Sequence, residues 1–351
     1  MRYGKDLPAG GTIGFVAPAF GCSIEPYRSG FDHAQKKWRE MGYNLHLGPN
    51  CYLGEGIGIS NTPKKCAEEF MAAFLDAESD CLISCGGGEL MCEILEYIDF
   101  EKIKQASPKW FMGYSDNTNI TYLLATICDT ASIYGPCSGT FGMEPWHKSI
   151  EDAFELLTGE VNSLDGYGKW ELCSLKDEDH PLVPYNLTED LVIKSYLGPK
   201  GIDWTKRQDP IRFEGRLLGG CMDCLANLIG TPYDQTQSFL ERYREDGIIW
   251  FLEPCDLNVF DIRRAMWHME QAGWFRYVKG FLIGRPRTAY GQEMMGLDAY
   301  EAVLNVAGQK DVPVIMDVDL GHLPPMMPLI TGSIGEVTVK KNDIHIEMRK
   351  I

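Results

Sequence analysis

Ser115 lies in Gly113-Tyr114-Ser115-Asp116, between an apolar run that reads as a buried strand and a run that reads as a helix. A sharp strand-to-helix turn exposes a hydroxyl at the carboxyl edge of a sheet. It also aims the next backbone N–H, here that of Asp116, at an incoming oxyanion. The helix start adds favourable potential for negative charge. The tetrapeptide lacks the second glycine of the common G-x-S-x-G elbow, and by itself it fits a helix-capping serine better than a nucleophile. A second strand-to-helix turn is Cys85-Gly86-Gly87-Gly88-Glu89. Gly86 and Gly87 let the backbone approach a ligand and point N–H groups into a concavity. The run does not match G-x-G-x-x-G, and no P-loop lysine and serine follow it. It reads as a tight turn, or as an oxyanion donor beside Ser115.

A nucleophilic serine needs a base, and the base needs an orienting group. Of the 7 histidines, His322 stands out: Gly321-His322-Leu323-Pro324-Pro325 follows the strand-like Val314–Val318 and puts it in a turn. Asp317, Asp319 and His322 also suggest a metal site, a weak reading without further ligands at usable spacing. Glu253 ends the apolar run Ile248–Leu252, where a carboxylate is costly unless it is paired. An imidazole would suit it. The closest pair among the 12 cysteines is Cys221-Met222-Asp223-Cys224. A lone CxxC with no second pair reads as packed thiols ahead of a redox or zinc site.

The elements that must position these groups alternate through the first 145 residues. Strands are expected at 12–16, 43–47, 81–84, 110–112 and 132–134. Helices are expected after Ser29 as N-cap, from Thr62-Pro63, over 89–98 and over 117–128. Such alternation implies a parallel sheet covered on both faces, with its site at the strands' carboxyl ends. The pattern fails from Asp165 to Pro210, which is polar and rich in proline and glycine. The expected division is therefore a nucleophile-bearing α/β domain over 1–164, a linker and active-site loop over 165–210, and a C-terminal domain over 211–351 carrying Glu253 and His322. The end reads as a hairpin about Lys341-Asn342-Asp343.

The length of 351 residues suits about two domains at roughly 150 residues each. Lys and Arg total 33 against 50 Asp and Glu, a net charge of −17. That balance excludes broad nucleic-acid binding and docking on anionic lipid. With no targeting segment and no long apolar run in view, a soluble cytoplasmic protein with reduced thiols is expected.

Taken in order, these features resemble the LD-carboxypeptidase and microcin C immunity family of serine peptidases. Thr12-Ile13-Gly14-Phe15-Val16-Ala17-Pro18 looks like its opening strand, and Met112-Gly113-Tyr114-Ser115-Asp116 like its nucleophile segment. Tyr134-Gly135-Pro136, Arg216-Leu217-Leu218-Gly219-Gly220, Phe251-Leu252-Glu253 and Gly321-His322 resemble its later motifs. The resemblance implies a flavodoxin-like parallel-sheet domain followed by a mixed α/β domain, with the active site between them. It implies a Ser115–Glu253–His322 triad, an oxyanion hole from Gly87 and the Asp116 N–H, a homodimer, and no metal or cofactor. Substrate would lie against the glycine turn at Gly86. The family's loop aromatic, which stacks on a nucleobase in the immunity branch, would be Trp170 or Trp204, the latter preferred; packing of the loop is the plainer role for both. Two departures are visible. The Arg-Gly-Gly-Tyr-Gly turn of the carboxypeptidase branch is replaced by Cys85-Gly86-Gly87-Gly88-Glu89, and the residue after Gly219-Gly220, often asparagine, is Cys221. Together with the long excursion, the changed turn places the chain nearer the immunity branch.

The expected activity is therefore amide hydrolysis on a peptidyl or aminoacyl nucleotide of the microcin C type. The alternatives are release of D-alanine from a peptidoglycan tetrapeptide and, in another class, a non-catalytic two-domain ligand-binding protein.

Overall fold

The computed structural model describes residues 1–351, which form two compact units. The first comprises Met1–Val161, Cys173–Asn186 and Pro328–Ile330, and the second Asn162–Leu172, Leu187–Met327 and Thr331–Ile351.

The first unit alternates β1 (Thr12–Val16), α1 (Tyr27–Glu40), β2 (Asn44–Leu47), α2 (Pro63–Leu75), β3 (Cys81–Ser84), α3 (Phe100–Gln105), β4 (Trp110–Gly113), α4 (Thr118–Thr126), β5 (Ser132–Tyr134) and α5 (Lys148–Thr158). Strands β2-β1-β3-β4-β5 are neighbours in that order and pair in parallel. The apolar runs at β3, β4 and β5 are buried throughout, as a sheet covered on both faces requires. On α1, Phe31, Ala34 and Trp38 share the inner face and are fully buried. Phe15 meets Phe31 and Trp38 at 5.2 Å between ring centroids, and Trp38 meets Phe141 at 5.0 Å. Emptying such a position typically costs about 3–5 kcal/mol.

Two local expectations are corrected. Helix α1 starts at Tyr27, before Ser29, because the Glu25 carboxylate already accepts the Ser29 N–H at 3.2 Å. Residues 89–98 form a short 3₁₀ segment, Met91–Tyr97, in place of an α-helix. Distant partners take the donors at its start: the Glu89 N–H goes to the Gly58 carbonyl and the Met91 N–H to the Asp116 carboxylate.

The second unit begins with short strands β6 (Ser163–Asp165), β7 (Lys169–Trp170), β8 (Glu189–Asp190), β9 (Lys194–Leu197) and β10 (Ile202–Asp203). Residues 165–210, expected as an irregular excursion, thus hold strand pairings of their own. Then come β11 (Ile211–Cys221), α6 (Met222–Leu228), α7 (Thr236–Arg242), β12 (Ile248–Glu253), α8 (Val259–Gln271), β13 (Val278–Gly284), β14 (Glu293–Met294), β15 (Leu297–Asp298), α9 (Ala299–Ala307) and β16 (Pro313–Val318). Beyond β17 (Leu329–Thr331), which adjoins β5, the chain ends in the antiparallel hairpin β18 (Ile334–Lys340) and β19 (Asp343–Arg349). The sheet order is β10-β9-β16-β13-β12-β11-β18-β19-β6. Its central four strands, β11, β12, β13 and β16, run parallel, with antiparallel strands on both sides. The carboxyl ends of those four carry Cys221, Glu253, Arg285 and Asp317–His322. The fold class is thus α/β throughout: a parallel sheet in the first unit and a mixed sheet in the second.

Candidate active site

In the first unit, the ends of β3 and β4 bring two turns together. Tyr114 is extended, and Ser115 then adopts a left-handed backbone with φ +63°. That conformation costs a non-glycine residue of order 1–3 kcal/mol and recurs where a side chain must be presented at a fixed angle. The Ser115 N–H donates to the Tyr134 hydroxyl at 3.3 Å, and the Asn117 N–H to the Tyr114 carbonyl at 3.2 Å. Gly87 lies directly against the serine: a methyl group on it would sit 3.1 Å from the Ser115 Cβ and Oγ. Its carbonyl accepts the Phe20 N–H at 2.6 Å. Gly86 is next to Phe20, whose carbonyl a methyl on Gly86 would approach to 3.1 Å. The Asp116 side chain is buried and accepts the Met91 N–H at 2.8 Å and the Asn119 amide at 3.0 Å. Its carboxylate is therefore an anchor for the turn. The structure brings Ser115, Asp116, Gly86 and Gly87 into one neighbourhood.

In the second unit, Glu253 ends β12 beside Cys221 of β11 and is 1% exposed. Its Oε2 meets Nδ1 of His322 at 2.9 Å. Two glycines make room for this pair. A methyl on Gly321, which has φ +91°, would sit 2.5 Å from the Glu253 Oε2, and one on Gly284 would sit 3.0 Å from its Cβ. Burial works against a charged imidazole. The Glu253 carboxylate outweighs it, with the Cys255 thiol as a further partner, and the pKa of His322 is pushed up to about 10.

The other sequence candidates fall elsewhere. Asp317 accepts the Tyr300 hydroxyl at 2.7 Å. Asp319 holds Arg285 at 2.8 Å and the Tyr167 N–H at 2.9 Å. Asp317, Asp319 and His322 are thus turned to separate partners, not to a shared metal position. Cys221, Cys224 and Cys255 pack as a buried group. A hydrogen bond with Cys224, together with burial, pushes the Cys221 thiol well above its ordinary value, and a protonated thiol is a poor nucleophile and ligand. Trp204 is half-buried, with the Arg207 guanidinium 4.3 Å from its ring centre. Trp170 is buried between Arg285 at 4.9 Å and Tyr290 at 5.0 Å. A cavity of about 500 Å³ in the first unit is lined by His46, Asn50, Lys65, Glu68 and Asp76 among others, and by none of Gly86, Gly87 or Ser115.

Sequence reasoning missed Asn117 and Cys255. Neither carries a motif of its own, and their proximity to Ser115 and Glu253 was the one available signal.

Comparison with known proteins agrees with this architecture. Residues 13–135 match the LD-carboxypeptidase N-terminal domain and residues 214–337 the LD-carboxypeptidase C-terminal domain. The microcin C7 self-immunity protein MccF of Escherichia coli is 24% identical, over 93% of this chain and 90% of its own. A protein of Bacillus subtilis named a probable murein peptide carboxypeptidase is 23% identical, over 98% of this chain and 93% of its own. The solved structure of MccF in complex with glutamyl sulfamoyl guanosine superposes with a TM-score of 0.78 at 19% identity, covering 99% of this chain and 98% of that one. These relatives support a serine peptidase-like hydrolase. With both domain models matched in order across most of its length, the chain belongs to the LD-carboxypeptidase family.

Proposed function

We propose that the protein hydrolyses the amide of an aminoacyl or peptidyl nucleotide through a Ser115–Glu253–His322 triad. The observation that carries the reading is the Glu253 carboxylate on Nδ1 of His322 at 2.9 Å. A carboxylate there fixes the tautomer whose Nε2 is basic and stabilises the imidazolium once formed. Ser115 Oγ attacks the carbonyl and His322 accepts its proton. Gly87 and the Asp116 N–H receive the developing oxyanion. His322 then protonates the leaving nitrogen, and water releases the acyl group by the same steps in reverse order of roles. Gly86 and Trp204 are assigned to substrate contact, the indole as a stacking surface for the base.

The nucleotide substrate is favoured by the ligand in the MccF structure and by the glycine turn, which departs from the carboxypeptidase branch. The name of the Bacillus relative favours the second reading, removal of D-alanine from a murein tetrapeptide. Incubation with glutamyl sulfamoyl guanosine and with the tetrapeptide, followed by mass analysis, separates them. Free glutamate plus sulfamoyl guanosine is expected, and D-alanine alone would transfer the assignment to the murein substrate. A fluorophosphonate probe should label Ser115, and labelling should vanish in His322→Ala. Ser115→Ala should lose more than about 10³-fold in kcat. Wild-type turnover by Ser115→Ala would overturn the triad, and absence of both labelling and turnover would leave a ligand-binding protein. We assign the active form as a cytoplasmic homodimer, which sedimentation at twice the 39.5 kDa chain mass would support and a monomer would refute.

A further inference from the structure

The two turns of the first unit come from different strands, and something must fix their separation. β3 leads into Ser84-Cys85-Gly86-Gly87, and β4 into Gly113-Tyr114-Ser115. The Asn117 side chain, fully buried, spans them: its Nδ2 donates to the Gly86 carbonyl at 2.8 Å and to the Tyr114 carbonyl at 3.0 Å. Each carbonyl immediately precedes the residue whose position matters, Gly87 on one side and Ser115 on the other. The amide orientation follows from its partners, since the opposite flip would set Oδ1 against two carbonyl oxygens. As oriented, Oδ1 is buried without a hydrogen-bond partner. Such an atom is uncommon in a native fold and calls for a reason. The chain also makes room for this side chain. A methyl on Gly113 would sit 2.9 Å from the Asn117 Cβ and Cγ, so β4 has to end in glycine for Asn117 to fold back. The Ser84 hydroxyl supplies a second donor to the Gly86 carbonyl at 3.0 Å and reaches one turn alone.

From this bridge we infer that Asn117 is a positioning residue: its carboxamide ties the glycine turn to the nucleophile turn and sets the distance between Gly87 and Ser115 Oγ. The inference rests on the triad reading above. It assigns Asn117 no contact with substrate. Oxyanion donors act only when held within a few tenths of an ångström of where charge develops, so loosening the bridge should slow acylation without weakening substrate binding.

The test compares Asn117→Leu and Asn117→Asp, both close in size and neither able to donate two hydrogen bonds, with Ser84→Ala. Active sites are counted by fluorophosphonate titration, and turnover of glutamyl sulfamoyl guanosine is expressed per titrated site. Both Asn117 variants should lose roughly 10²–10³-fold in kcat, the range for a lost oxyanion donor, with KM within about threefold. The rate of phosphonate labelling should fall alongside. Ser84→Ala, which leaves the bridge in place, should lose less than about tenfold. A purely structural role would lower the titrated fraction and leave kcat per site unchanged, and that result overturns the inference. So does a rise in KM at constant kcat. If Asn117→Leu does not fold, Asn117→Asp gives the same readout, and Ser84→Ala retains its own: a loss as large as that of Asn117→Asp removes the special place of the bridge. Wild-type protein that is not labelled at Ser115 sinks the triad reading and this inference with it. Labelled wild type alongside Asn117 variants of undiminished kcat sinks the inference alone.

Discussion

The Ser115 neighbourhood and the Glu253–His322 pair reach their geometry by opposite means. The first is built mainly from backbone: a left-handed serine, a glycine on which any side chain would press against the serine hydroxyl, and carbonyls tied by one amide. The second is built from side-chain charge: a carboxylate 1% exposed, held against an imidazole at 2.9 Å in space cleared by two glycines. In the first region the cost is conformational and is insensitive to pH and salt. In the second it is desolvation, and the ion pair offsets it only while the carboxylate is ionised and the imidazole is protonated. A substitution should therefore act through geometry in one region and through protonation in the other.

The contrast makes separate predictions. Glu253→Gln keeps the shape and removes the charge. It should lower kcat by about 10⁴-fold, as loss of the orienting carboxylate does in a triad. It should also move the acidic limb of the rate profile to lower pH, because the charge that raises the His322 pKa is gone. A profile that stays where it was would show that Glu253 does not set the imidazole's protonation. Gly87→Ala places a methyl 3.1 Å from the Ser115 Oγ and should reduce kcat roughly 10²–10³-fold with no change in the shape of the pH profile. A shifted limb would mean that the two regions are not distinguished in this way. Gly321→Ala meets both a left-handed φ and the Glu253 oxygen. It should destabilise the fold by about 1–3 kcal/mol, measured by urea unfolding.

The smallest effect concerns stability against pH. The folded chain raises the His322 pKa from 6.5 to about 10, so the protonated ring stabilises the native state. That contribution is complete below the unfolded value and is lost as pH climbs through the folded one. The stability difference between wild type and His322→Gln should be greatest near pH 6 and shrink towards pH 10. A constant difference would contradict the linkage. The raised value also bears on catalysis, because an ordinary histidine titrates near pH ~6.5 and this one does not. The neutral base becomes more populated through the alkaline range, and the rate should rise there.

Much of this arrangement is legible in the residues. Apolar runs such as Cys81–Ser84 and Ile248–Leu252 announce buried parallel strands, and the strand-end rule directs attention to Ser115, Glu253 and His322. The gaps have physical causes. The 3₁₀ segment at Met91–Tyr97 is anchored at its start by Asp116, 25 positions from Met91, and no local pattern reports that contact. Ser29 looked like a cap, but Glu25 does that work from outside the helix. Asn117 is polar and sits at a helix start, where capping is the ordinary expectation, yet its side chain makes no capping bond and turns back across two strands. In the sequence Gly321 is simply part of a turn, whereas in the structure its missing Cβ is what admits the Glu253 carboxylate.

The route of the chain has a consequence for dissection. It leaves the first unit after Val161, returns for Cys173–Asn186, and returns again for Pro328–Ile330 before finishing in the second. No single cleavage point separates the polypeptide into two complete pieces. Halves expressed from separate genes would each lack strands or segments held by the other, so a functional split version should require co-expression and reassembly, or a rewired order of segments with new termini.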